Sequence, residues 1–167
     1  FVEFNAGRQD LIVPFDMANF MGSVAKGNRF CIIADASNSM KGQPMQQLKT
    51  NILKTLHDLK PTSEFYIIFF NATDIPMPYP NWLSASKDNI GKVTPWVENM
   101  GTVLKTWPSS AFKRAFDLKP RPDVIFFMTD GLMAPSVPAE VARMNDTQPK
   151  VVINTIMFSK AKIKAKT

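Results

Sequence analysis

The stretch "RFCIIADASNSMKGQP", residues 29–44, combines an apolar run with a polar loop and a proline. Residues 30–34 are all apolar, which is typical of a strand that is buried on both faces of a sheet. Oxygen-bearing side chains then occupy every second position, at Asp35, Ser37 and Ser39. Pro44 suits the first turn of a helix, where its missing N–H costs little. The stretch therefore predicts a buried strand, a polar loop and a helix, in that order.

Further apolar runs, rich in Val, Ile and Phe, occur at residues 65–70, 124–128 and 151–158. Helical patterns separate these runs, at residues 44–59, 86–100, from 108 onward, and 138–144. Strands that alternate with helices predict an α/β fold with a doubly wound, mainly parallel sheet and helices on both faces. We expect residues 1–4 to add an edge strand. The prolines in residues 75–80 restrict that segment to an edge strand or a loop.

Length and composition predict one globular domain. The chain has 167 residues, of which 45% are hydrophobic, and no apolar run approaches the length of a membrane span. The single Cys31 excludes an internal disulfide and a cysteine metal cluster. Because the sequence begins at Phe1 rather than Met, we interpret it as a fragment or a processed form. We expect a domain at residues 1–158, followed by a flexible basic tail at 159–167.

The charge is unevenly distributed along the chain. The net charge is +6, and four of the basic residues lie in the final segment, at Lys160, Lys162, Lys164 and Lys166. Without these four, the excess falls to +2, so the body of the domain is nearly balanced. No aromatic residues interleave with the lysines, which argues against a nucleic-acid-binding surface.

The polar loop at residues 35–39 is a candidate cation site. Open parallel sheets bind ligands at the carboxyl ends of their strands, and Asp130 follows the apolar run 124–128 in the same way. If the two strands are neighbours, the carboxylates of Asp35 and Asp130 converge beside two hydroxyls. Such an all-oxygen set suits Mg²⁺ or Mn²⁺. The structural alternatives are a helix cap for the serines and an Asp-Gly turn for Asp130.

These motifs resemble the metal-ion-dependent adhesion site of von Willebrand factor type A domains. Asp35-x-Ser37-x-Ser39 before an amphipathic helix is similar to the first motif of the family, and "MTDG" (128–131) is similar to the second. "GNRFCIIADASNSM", "EFYIIFFN" and "KVVINTIMF" resemble, in order, a bacterial type of this domain. The resemblance extends to about Phe158, and the last helix and strand of the family are not recognisable after it.

The resemblance implies a Rossmann-like fold and a bound Mg²⁺, or else Mn²⁺ or Ca²⁺. It also implies a protein partner that presents a carboxylate, and a bacterial cell-envelope or extracellular setting. We expect the chain neither to bind nucleic acid nor to insert into a membrane. The family takes a further threonine from an intermediate loop, here Thr102 or Thr106. Thr106 fits the family spacing to the alanines of the next helix. The implied metal ligands are Asp35, Ser37, Ser39, Thr106 and Asp130.

Two departures from the family concern backbone conformation. Asn38 stands where the family usually has glycine in the first motif. Val103, Leu104 and Lys105 replace the glycines that precede the threonine. Glycine adopts positive φ without strain, so we expect residues 103–105 to avoid such angles and to weaken the site.

Three functions remain open: a non-catalytic binding domain that uses a metal, a degenerate domain that binds a partner without metal, and a metal-dependent hydrolase or phosphotransferase. The enzyme is disfavoured because Ser37 stands where an aspartyl nucleophile would need a second acid. The only histidine, His57, falls near the end of the first predicted helix, too far from the loop to act as a base. The chain also lacks the glycine-rich motifs of nucleotide sites.

Overall fold

The computed structural model describes residues 27–158, which form a six-stranded sheet covered by helices. The predicted edge strand at residues 1–4 and the predicted basic tail at 159–167 lie outside the described residues. The strands are β1 (Arg29–Asp35), β2 (Glu64–Phe70), β3 (Asp74–Pro76), β4 (Leu83–Ser84), β5 (Val124–Thr129) and β6 (Val152–Met157). The sheet order is β3-β2-β1-β5-β6, and β4 pairs with β2.

The four predicted helices are all present, with ends that differ from the predicted ones by a few residues. Ser86 ends the preceding loop and caps the second helix, because its hydroxyl accepts the N–H of Asn89 at 3.2 Å. None of the helices in residues 27–158 is long and apolar enough to cross a bilayer. The helices are α1 (Gln43–Asp58), α2 (Lys87–Glu98), α3 (Ser109–Asp117) and α4 (Val137–Met144), and a short 3₁₀ turn covers Asn38–Met40.

Aromatic contacts show that helices cover both faces of the sheet. Neighbouring residues of a strand point to opposite faces. Phe69 packs against Trp96 of α2, with ring centroids 5.3 Å apart. Phe70 packs in the other direction against Phe127, which contacts Phe112 of α3 at 4.9 Å. Since α1 contacts α2 and α4 contacts α3, two helices lie on each face, and the predicted α/β fold class is confirmed.

The path of the chain places the carboxyl ends of β1 and β5 side by side. After β1, the chain passes through α1 to β2 on one side, and it later returns to β5 on the other side of β1. The parallel register pairs Ala34 with Met128, so the loops that follow these strands start next to each other. This reversal of direction is the position where open α/β sheets bind ligands.

Short strands complete the edge beyond β2. The proline-rich segment was predicted as an edge strand or a loop, and Asp74–Pro76 is an antiparallel edge strand. Leu83–Ser84 also pairs with β2 and was not predicted. Two residues are too few to display the alternation of apolar and polar side chains that identifies a strand in a sequence.

Candidate metal centre

Asp35 is the centre of the candidate site. Its side chain is buried at the end of β1. One carboxylate oxygen, Oδ1, accepts the backbone N–H of Ser37 at 2.8 Å, and Oδ2 accepts the hydroxyl of Thr129 at 2.9 Å. The carboxylate is therefore held in one orientation by its own loop and by the neighbouring strand β5.

The two predicted serine ligands lie together beside Asp35. The hydroxyls of Ser37 and Ser39 are 2.9 Å apart, and Ser37 is buried while Ser39 is half-buried. The capping alternative is wrong for both residues, because no side chain caps the 3₁₀ turn and α1 begins after Gly42. The loop thus brings a carboxylate and two hydroxyls together without using them to start a helix.

Asp130 lies in the loop that follows β5 and serves partly as a turn residue. Its Oδ1 accepts the N–H of Leu132 at 3.0 Å, while Gly131 has a φ of +82° and donates its N–H to the Thr129 hydroxyl at 3.1 Å. The predicted Asp-Gly turn is therefore present. The other carboxylate oxygen of Asp130 has no hydrogen-bond partner among residues 27–158, so the turn leaves it available.

The electrostatics of the site favour a positive ion. Burial is the main cause that raises the pKa of Asp35 above its ordinary value, and the nearby negative charge of Asp130 raises it further. Hydrogen bonds from Ser37 and Thr129 oppose this change without cancelling it. A cation beside the two carboxylates would relieve both the burial cost and the repulsion.

The donor set fits a hard cation and contains neither histidine nor cysteine ligands. Across residues 27–158, no group of three or more His, Cys, Asp or Glu side chains is arranged to hold a metal. The candidate ligands are instead carboxylate and hydroxyl oxygens, the atoms that Mg²⁺, Mn²⁺ and Ca²⁺ prefer.

The loop at residues 101–108 lies across the ends of β1 and β2. Val103 donates its N–H to the carbonyl of Ala36 at 3.1 Å, and Trp107 donates its N–H to the carbonyl of Asn71 at 2.7 Å. The half-buried Thr106 opens onto a cleft, and its hydroxyl has no hydrogen-bond partner among residues 27–158. The loop is thus anchored to the site, but the structure brings neither Thr106 nor Thr102 into hydrogen-bonding contact with Asp35 or Ser37.

The expected loss of positive φ in this loop is wrong at one position. Lys105 has a φ of +84° and is the one non-glycine residue of the described segment with a positive φ. Two anchored backbone groups, Val103 N–H and Trp107 N–H, fix the loop on both sides of it, so the lysine adopts the angle that glycine would take more easily. Asn38 needs no such angle, because it lies in the 3₁₀ turn.

Replacing Lys105 by glycine is expected to raise the free energy of unfolding by up to ~1 kcal/mol. A side chain in the left-handed region costs about 1–2 kcal/mol, and the greater freedom of glycine in the unfolded chain offsets part of the gain. Urea denaturation measures the change. Lys41→Gly is the matched control, because exposed Lys41 has a φ of −53° and should lose stability on the same substitution. Equal losses in the two variants would contradict the strain at Lys105.

Comparisons with known proteins identify the fold. A von Willebrand factor type A protein from Catenulispora acidiphila matches 78% of this chain with a TM-score of 0.68 and 18% identity. The chain has the fold of a von Willebrand factor type A domain. It spans 33% of the length of that protein. No protein-family model and no curated protein sequence matches the chain.

Two further structures share the fold. An aerotolerance-related membrane protein from Bacteroides fragilis matches 78% of this chain and 67% of its own, with a TM-score of 0.59 and 18% identity. Proximal thread matrix protein 1 from the mussel byssus, with a zinc-occupied metal-ion-dependent adhesion site, matches 80% of this chain and 36% of its own. Its TM-score is 0.56, with 17% identity. At these identities the likeness concerns the fold alone.

Sequence reasoning missed the role of Thr129. The residue is part of the quoted "MTDG" motif, but only Asp130 was given a function there. In the structure Thr129 is fully buried and links Asp35 to the second loop, because its O–H donates to Asp35 and its oxygen accepts the N–H of Gly131. A hydroxyl at the last position of a buried strand was the signal that pointed to it.

Proposed function

We propose that this chain is a non-catalytic protein-interaction domain that holds a divalent cation at the carboxyl edge of its sheet. The observation that carries the proposal is the buried Asp35 carboxylate, fixed by Ser37 and Thr129 and adjacent to a second acid. The proposed ligands are Asp35, Ser37, Ser39, Thr106 and Asp130.

Some residues of the site would orient Asp35, and others would bind the ion. The N–H of Ser37 and the hydroxyl of Thr129 orient Asp35, and Ser37 and Ser39 offer neutral oxygens from the same loop. A bound Mg²⁺, or Mn²⁺ or Ca²⁺, would supply positive charge and open coordination positions to a carboxylate of a partner protein. Three of the proposed ligands are neutral hydroxyls, so only Asp35 and Asp130 bring formal charge, and together they equal the charge of a divalent ion. If one of these two carboxylates acts through a bound water, the ion keeps positive charge that a partner carboxylate can balance.

The comparisons support this function and an envelope or extracellular setting. The mussel protein of the same fold is described with a zinc-occupied adhesion site, and the Bacteroides protein is a membrane protein. A catalytic role has less support, because it would need a base at the site. His57 is the only histidine in the chain, and it is exposed at the last turn of α1, whereas the loop with Asp35 precedes the first turn of that helix.

A second candidate is the same domain binding its partner without a metal. The observation that favours it is the hydrogen bond between the Ser37 and Ser39 hydroxyls, which satisfies these groups in part without an ion. Lys105, exposed in the loop beside the site, would then supply the positive charge for an acidic partner.

Calorimetric titration with Mg²⁺ and Mn²⁺ separates the two candidates. The metal-dependent function predicts one site, lost in Asp35→Ala and retained in Asp123→Ala. Asp123 is a suitable control because its carboxylate accepts the N–H groups of Asn28 and Arg29 at the amino end of the same sheet. No binding of either ion by the wild-type chain would overturn the metal-dependent function and favour the second candidate.

The affinity for Mg²⁺ is expected to fall as the pH drops through the raised pKa of Asp35. Burial and the charge of Asp130 raise that pKa, so the proton competes with the ion at a higher pH than at an exposed aspartate. At pH values above the raised pKa of Asp35, the affinity for Mg²⁺ should no longer change with pH. Titrations over a pH series measure the effect, and an affinity that stays constant from neutral pH down to the ordinary carboxyl range would contradict the role of Asp35.

A further inference from the structure

Large exposed apolar side chains lie in two loops beside the candidate site. Within residues 27–158, the large hydrophobic side chains that stand out as exposed are Val103, Leu104, Trp107 and Leu132, with exposed fractions of 53%, 73%, 45% and 64%. We call these four side chains the apolar rim. Isolated exposed apolar residues are ordinary on protein surfaces, but exposed apolar residues gathered around one site indicate an interaction surface.

The apolar rim belongs to two loops at the carboxyl edge of the sheet. Three of its members lie in the loop that Val103 and Trp107 anchor to Ala36 and Asn71. Leu132 belongs to the loop after β5, where its N–H is held by Asp130. The two loops meet at an open cleft lined by Ala72, Lys105, Thr106, Trp107 and Ala134. The rim therefore flanks both the cleft and the polar centre.

Lys105 adds a positive charge to this cleft. The side chain is exposed and has no ion-pair partner among the described residues, in contrast to Lys92 and Lys113, which pair with acids one helical turn away. With the candidate cation beside it, the surface is positive at its centre and apolar around it. Such a pattern is complementary to an acidic group that has apolar neighbours.

We propose that the apolar rim and Lys105 select a protein segment in which an acidic residue is flanked by large apolar side chains. The inference rests on the proposed function, because the acidic residue is the one that would reach the cation. It adds the identity of the neighbouring side chains, which pack on Leu104, Trp107 and Leu132 while the carboxylate lies near Lys105.

Two other occupants fit this surface less well. If the rim inserted into a bilayer, the charged side chains of Asp130 and Lys105 beside it would also contact lipid, which is unfavourable. A second copy of the chain would need an acidic group with apolar neighbours on its own surface, and within residues 27–158 the large exposed apolar residues are the rim itself. A peptide segment can place alternate apolar and acidic side chains on the rim and the centre at the same time.

Three capped peptides test the proposal by NMR titration of the full chain with saturating Mg²⁺. Their cores are leucine-aspartate-leucine, serine-aspartate-serine and leucine-asparagine-leucine. We expect the first to bind about tenfold more tightly than the second, because burial of two partly covered leucines gives a gain of that order. The third should bind more weakly than the first, and the signals that move should include the Trp107 indole and Leu132.

Substitutions at exposed positions provide the controls. Leu104→Ser combined with Leu132→Ser should remove the tenfold preference and leave calorimetric Mg²⁺ binding unchanged. Lys105→Gln should weaken the aspartate peptides, whereas Lys54→Gln on the exposed side of α1 should not.

The outcomes separate this inference from the proposed function. Mg²⁺ binding without any preference for flanking leucines would overturn the inference alone, as would a preference that survives the double serine variant. Binding of the chain to anionic phosphatidylglycerol vesicles, or dimerisation that the double serine variant abolishes, would also overturn it in favour of another occupant. Failure to bind both Mg²⁺ and Mn²⁺ would overturn the proposed function, whatever the peptides do.

Discussion

Replacement of Asp35 by asparagine is expected to stabilise the metal-free protein at neutral pH and to abolish its stabilisation by Mg²⁺. The amide keeps an oxygen that can accept the N–H of Ser37, and it removes a buried negative charge that Asp130 opposes. The same charge is the main attraction for a cation. One substitution should therefore change the melting temperature in opposite directions with and without the ion.

The pH dependence of this difference follows from the direction of the pKa change. The folded state favours the protonated carboxyl of Asp35, since burial raises its pKa. The contribution of the protonated Asp35 carboxyl to the free energy of unfolding is present below the ordinary carboxyl pKa. It is lost as the pH rises through the raised pKa of Asp35. Without metal, wild type and Asp35→Asn should therefore be similar in acid, and wild type should become the less stable protein as the pH rises through that window.

The Mg²⁺ effect should be large enough to measure by thermal unfolding. At a free ion concentration 100-fold above Kd, linkage stabilises the folded state by about 2.7 kcal/mol, or roughly 5–10 °C for a chain of this size. Asp123→Asn, the same change at the opposite end of the sheet, should keep the full Mg²⁺ shift. An equal shift in Asp35→Asn and wild type would contradict the proposed role of Asp35.

Phe127→Ala is expected to lower the free energy of unfolding by about 3–5 kcal/mol. The Phe127 ring is fully buried and packs between Phe70 of β2 and Phe112 of α3, so its loss leaves a cavity between the sheet and a helix. A loss of this size is a large part of the roughly 5–15 kcal/mol that stabilises an ordinary domain. Denaturation in urea, monitored by tryptophan fluorescence, measures the change.

Two companion variants show whether the cavity is the cause. Phe127→Leu refills most of the space and should cost about 1–2 kcal/mol. Leu132→Ala removes an exposed side chain and should change stability by less than ~0.5 kcal/mol. If Phe127→Ala costs no more than Leu132→Ala, the packing described between β5 and α3 is wrong.

The strands and helices were predictable because their apolar residues follow different spacings along the sequence. The apolar run at residues 30–34 is continuous, as a strand buried on both faces requires, and it forms the central strand β1. Met45, Leu48, Ile52 and Leu56 recur at helical spacing, and all four are buried on α1. The two-residue strand β4 carries no such period, and its pairing depends on the tertiary placement of β2.

The residues that form the candidate site were predictable from the sequence, but the long-range hydrogen bonds and the loop conformation around them were not. The alternation of Asp35, Ser37 and Ser39 at the end of a strand was enough to place these residues together. The Thr129 bond to Asp35 joins residues far apart in the sequence and depends on the register of β1 and β5. The positive φ of Lys105 was not predictable from local preference, because anchors on both sides of the loop override it.

Diffraction from crystals grown with Mn²⁺, recorded at wavelengths where manganese scatters anomalously, would locate a bound ion at the candidate site. We expect one anomalous peak in contact with Asp35, Ser37 and Ser39, at the carboxyl ends of β1 and β5. The same map would show whether Thr106 or Thr102 supplies a further ligand. Absence of a peak at this edge, with the Ser37 and Ser39 hydroxyls still bonded to each other, would contradict the metal-dependent function.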